Sequence, residues 1–142
     1  MGVMRVLLGA FICLIGAGCV NSEYLFERIE NGRSILLPLK LGHVYGVREG
    51  DSVSAEIEFT DGHDSAQMSI ALRLRPQAEF TSGTYRASVG GNTSAGTVES
   101  ESLTFLGGQG GSPSLGGLFV FKDTQGRPAY RVQIPLTPIS RR

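Results

Sequence analysis

The sequence predicts an all-β protein, a single antiparallel β-sandwich, with a small up-and-down β-barrel as the alternative. Two alternating stretches carry most of that prediction. Val53, Ala55, Ile57 and Phe59 alternate with Ser52, Ser54, Glu56 and Glu58. Ala66, Met68, Ile70, Leu72 and Leu74 alternate with Gln67, Ser69, Arg73 and Arg75. A period of two puts each apolar set on one face of a strand. The second observation is composition: 20 of the 142 residues are Gly, and turn-forming clusters recur between β-branched runs. That pattern favours roughly seven to nine short strands with tight turns. No stretch holds the 3.6-residue apolar period of a long helix.

The chain opens Met1-Gly2-Val3-Met4-Arg5, then runs apolar from Val6 to Ile15 and ends this stretch in Gly16-Ala17-Gly18-Cys19. Arg5 and the amino terminus make a positive start. The apolar run is too short for a bilayer span, which takes about 20 residues, and suits the core of a secretory signal. With small residues leading to a Cys, the segment resembles the lipobox of bacterial lipoproteins. The resemblance implies that residues 1–18 are a removed signal peptide and that Cys19 carries diacylglycerol and an acylated amino terminus. Gly16 departs from the pattern, since a branched apolar residue is commoner there. A signal anchor, or an ordinary signal peptide with a chance Cys, is the competing reading. Val20 follows Cys19 where retention in the inner membrane usually takes an Asp. The resemblance therefore implies the periplasmic face of the outer membrane, with the membrane itself as a partner.

Without the first 18 of the 142 residues, 124 remain. That suffices for one domain with a real core. Both Cys lie at or before position 19, so the mature chain has no disulfide chemistry. Loss of Arg5 leaves 12 basic against 13 acidic residues, a balance that argues against nucleic-acid binding.

Residues 19–32 read as a tether or N-terminal segment, 33–138 as the β domain, and 139–142 as a basic tail. Tyr24-Leu25-Phe26 within the tether is apolar for a linker. It suits a first strand or turn covering the core, or a seat at lipid headgroups. Asn31-Gly32 is a turn signal. Ser34 to Leu39 reads as a strand confined by Pro38 to an edge or a strand end. If Ile35–Leu39 pairs with the C-terminal hairpin, the sheet closes as a barrel. Leu41 to Val47 continues extended, with His43 and Tyr45 opposite Val44. Asp61-Gly62-His63-Asp64 joins the two alternating runs into a hairpin, with Glu56 and Glu58 expected across from Arg73 and Arg75. Pro76 to Gly83 reads as a connection. Gly83 two residues before Tyr85, followed by alternation, is similar to the corner that enters a late strand of immunoglobulin-like sandwiches, without their Cys and Trp. Gly90-Gly91-Asn92 is a turn. Thr97 to Phe105 supplies one or two strands. Leu118–Phe121 and Tyr130–Ile134 make a last hairpin about Asp123-Thr124-Gln125-Gly126.

One low-complexity stretch remains: Gly107, Gly108, Gln109, Gly110, Gly111, Ser112, Pro113, Ser114, Leu115, Gly116 and Gly117. It lacks the Lys of a phosphate-binding loop and reads as a strand connection or an interaction loop. Asp61, His63 and Asp64 suit a polar turn better than a metal site. Neither HExxH nor Gly-x-Ser-x-Gly occurs, and Asn92-Thr93-Ser94 is a chance glycosylation sequon. No catalytic, cofactor-binding or metal-binding set emerges. The expectation is a non-enzymatic envelope lipoprotein, without cofactor, acting as a structural or protein-interaction module. The alternative is a periplasmic small-ligand binder with a pocket gated by the Gly-rich loop.

Overall fold

The structure is a computed structural model and describes residues 24–107 and 113–141. The described residues form nine strands: β1 (Leu25–Glu30), β2 (Arg33–Leu36), β3 (Lys40–Glu49), β4 (Ser52–Thr60), β5 (Ser65–Arg73), β6 (Glu79–Val89), β7 (Asn92–Leu106), β8 (Ser114–Asp123) and β9 (Pro128–Pro138). All lie in one antiparallel sheet in the order β2-β1-β9-β8-β7-β6-β5-β4-β3, curled into a half-barrel. The all-β, antiparallel class is the one the alternation predicts. The layering differs, because a single sheet folds over its own core where a sandwich would set two sheets face to face.

The β4–β5 hairpin shows why these residues make strands. Val53, Ala55, Ile57 and Phe59 are buried, as are Ala66, Met68, Ile70 and Leu72. Cross-strand partners such as Ile57 and Met68 lie side by side on the dry face. Fully burying an aliphatic or aromatic side chain of this size contributes about 1.5–3 kcal/mol, which fixes the register firmly. Asn31 and Gly32 both take positive φ, 52° and 75°, and join Glu30 to its partner Arg33 in a two-residue turn. Turns of that hand match the twist of a hairpin. Pro38 follows β2, an edge strand, where a missing donor does no harm.

Curling brings distant strands together. Five strands separate β1 from β4 in the sheet, yet the Phe26 and Phe59 rings are 5.1 Å apart, edge to face. Phe121 of β8 lies 6.0 Å from Phe26 and 4.7 Å from Tyr85 of β6, stacked on the latter. Tyr130 of β9 completes the cluster, 5.6 Å from Phe26. At the edge of β3 the chain's last described residues close part of the gap. Gly46 N donates to Ser140 O (3.0 Å) and Ser140 N to Val44 O (2.9 Å), forming a parallel bridge.

Several boundaries differ from the sequence reading. Within the segment 19–32 the reading of a first strand covering the core holds, and the strand runs further than expected: Leu25–Glu30 lies between β2 and β9, and Phe26 is wholly buried. It is β1, and not Ile35–Leu39, that pairs with the C-terminal hairpin. The tail assigned to 139–142 begins with a buried Ile139 and the paired Ser140. The connection placed at Pro76–Gly83 is half strand, since β6 starts at Glu79.

Tyr85 does not make the corner that its spacing suggested. Its ring is buried in the aromatic cluster and its hydroxyl has no hydrogen-bond partner. A buried unpaired hydroxyl costs about 1–3 kcal/mol. Tyr85→Phe is therefore expected to leave the thermal midpoint unchanged or raise it; a clear fall would show that the hydroxyl is bonded.

Candidate functional site

The ion pairs anticipated on the wet face of the β4–β5 hairpin do not form. Thr60 pairs with Ser65, so Glu56 faces Ser69, Glu58 faces Gln67, and Arg73 faces Ser52. Arg73 is instead ion-paired with Glu79, and Arg75 with Asp51 at 3.2 Å. Exposed pairs of this kind contribute about 0–1 kcal/mol. They are structural trimmings and not an acid/base device.

The Asp61–Asp64 tip is occupied with its own backbone. Asp61 Oδ1 accepts from Asp64 N (2.6 Å) and His63 N (2.8 Å), and Asp64 Oδ1 accepts from Gly90 N (3.2 Å). The bonds from Asp64 and then His63 hold the Asp61 carboxyl below the ordinary range. His43 lies elsewhere, stacked on Tyr45 at 5.2 Å. Among the described residues no three His, Cys, Asp or Glu side chains gather as a metal site. Burial pushes the Tyr24 phenol up, and its hydroxyl is also unpartnered. Its ring stacks on Phe59 at 6.1 Å, which makes it a packing group where the chain joins the domain.

Cys19 and Gly108–Ser112 lie outside the described residues. The rest of the Gly-rich candidate divides in two. Gly107 is exposed and Pro113 half-buried, so both still read as connection. Ser114, Leu115, Gly116 and Gly117 belong to β8, paired with β7 on one side and β9 on the other. Leu115 is buried at 1 % exposure. The stretch looked like loop because Gly116 and Gly117 carry no side chain to show a period. Those positions are close approaches, and a Cβ on Gly116 would sit 2.9 Å from Leu136 N. Removing 107–117 as a unit would therefore cut into a core strand.

Where that connection leaves the sheet, Gly46, Val47, Arg48, Val53, Phe105, Pro113, Ile139 and Arg141 surround a hollow of about 390 Å³. It has apolar walls and two guanidinium groups. Arg48 Nε donates to Gly50 O at 3.1 Å. Among the described residues no carboxylate, imidazole or thiol lines it, and those that do could seat an apolar group beside an anion. Two shallower troughs, of about 810 and 610 Å³, run over β3 to β7. Their polar linings are mainly hydroxyls, including Ser54, Ser69 and Ser82, with Gln67, His43, Glu56, Glu58 and Arg86 among them. Arg86 Nη2 donates to Gln67 Oε1 at 3.1 Å. Nothing in the sequence marked either the hollow or the troughs, because each is assembled from short pieces of four or more separate segments.

Comparison with protein-family models, with curated proteins and with solved structures finds no match to this chain. No helix among the described residues is long and apolar enough to cross a membrane.

Proposed function

We propose that this chain is a non-enzymatic envelope lipoprotein: a β domain held by lipid on Cys19 at the periplasmic face of the outer membrane, acting as a structural or protein-interaction module. The observation that carries the reading is the filling of the half-barrel. Phe26, Phe59, Tyr85, Phe121 and Tyr130 converge from five strands, and every buried residue among those described is apolar or aromatic. A domain filled in this way offers the outside its surface rather than a chamber. The tether supports the reading from the other end, since only five positions separate Cys19 from Tyr24, the first described residue.

A small-ligand binder is the second reading, favoured by the hollow at Phe105 and Ile139, whose volume is within the range of ligand pockets, about 300–1,000 Å³. Metabolic labelling with a palmitate analogue tests the first. The parent chain should be labelled and Cys19→Ser should not. Equal labelling of the two, or a mature chain that begins elsewhere than Cys19, would overturn the anchor.

A further inference from the structure

Strand direction sorts the surface of this domain. Because every neighbouring pair in the sheet is antiparallel, β2, β3, β5, β7 and β9 all run toward the end at which β1 begins. Five large apolar side chains are exposed among the described residues: Ile35, Leu36, Val47, Leu106 and Leu136. Val47, Leu106 and Leu136 each lie within the last three residues of β3, β7 and β9, and Leu36 ends β2. At the opposite strand ends, with the Asp61–Asp64 and Asp123–Gly126 turns, Ile35 beside the Asn31-Gly32 turn is the one exposed large apolar side chain among the described residues. Arg48 and Arg141 stand beside Val47 and Phe105 on the same side. Among the described residues at those strand ends, Asp51 and Glu79 are engaged by Arg75 and Arg73, while Glu49 neighbours Arg48 and Glu27 lies across from Leu36.

The tether ends on this side too. Tyr24 precedes the first residue of β1, and the five residues from Cys19 span at most about 18 Å when fully extended, at about 3.3–3.6 Å each. A lipid on Cys19 thus holds these strand ends close to the bilayer surface. Apolar side chains interleaved with Arg suit the headgroup boundary, where stems and rings sink and cations meet phosphate.

We propose that the strand ends bearing Val47, Leu106 and Leu136, with Arg48 and Arg141, rest on the lipid headgroups and fix the orientation of the domain. The proposal rests on the lipid tether described above. The test uses the full mature chain on vesicles of phosphatidylethanolamine and phosphatidylglycerol. An environment-sensitive fluorophore is placed in turn at Leu106→Cys, Leu136→Cys and, at the far end, His63→Cys. Nitroxide-bearing lipid should quench the first two several-fold more than the third, and their emission should shift to the blue. Equal quenching at all three sites, in chains that float with the vesicles, would overturn the docking and leave the tether standing. A blue shift without quenching would mean contact with protein, which also overturns it. A chain that carries no palmitate and does not float removes the tether, and this orientation with it.

Discussion

Replacing Phe26 by Ala should destabilise the domain by about 3–5 kcal/mol, the range for deleting a buried aromatic ring. Phe26 has no exposed surface, and three aromatic partners surround it: Phe59 from β4, Phe121 from β8 and Tyr130 from β9. Tyr130 and Phe121 stand on the next two strands of the sheet, but five strands separate Phe59 from β1, so the ring holds the curl as well as filling space. Domains of this size commonly have only about 5–15 kcal/mol in all. Urea denaturation followed by circular dichroism measures the loss. Glu30→Ala, four residues on at the exposed end of the same strand, should stay within about 0.5 kcal/mol. Equal effects would mean that β1 is a strap lying on the domain and not part of its core.

Gly96→Ala is expected to have the second large effect. Gly96 lies in β7 between Tyr85 of β6 and Asp123 of β8. A Cβ there would fall well inside contact with the Lys122 carbonyl oxygen, with the carbonyl carbon at 2.9 Å. Backbone, unlike the tip of a side chain, cannot step aside cheaply. Overpacking of this kind costs about 1–3 kcal/mol or more. Ala95→Ser, next to it on the exposed face, should be neutral. A thermal midpoint for Gly96→Ala equal to that of Ala95→Ser would show that β7 and β8 have room to part.

What was legible in the sequence follows the range of the forces involved. The β4–β5 hairpin was plain, because alternation is local and each of Ile57, Phe59, Ile70 and Leu72 is buried as its period requires. The Asn31-Gly32 turn was plain for the same reason. The start of β8 was hidden, since two of its first four residues are Gly. The partners of Arg73 and Arg75 were hidden by register: the four-residue tip at Asp61–Asp64 slides Glu56 and Glu58 away from them. The curl was out of reach, because the Phe26–Phe59 contact joins residues 33 positions apart with no local signature. The hollow at Phe105 and Ile139 was out of reach likewise, its walls coming from β3, β4, β7 and the C-terminal stretch.

The placement of β1 between β2 and β9 has a kinetic consequence. β3 to β9 follow one another in the sheet as they do in the chain, so each hairpin can close as soon as its second strand is free. β1 cannot. Its only partner besides β2 is β9, roughly a hundred residues later, and closing so long a loop slows folding. A chain threaded through a membrane amino end first would expose its β1–β2 hairpin, with the Phe26 ring unhoused, until the last strand had crossed. That waiting interval is when such a chain is most open to proteolysis, to mispairing at a bare strand edge, or to a chaperone that binds extended apolar peptide.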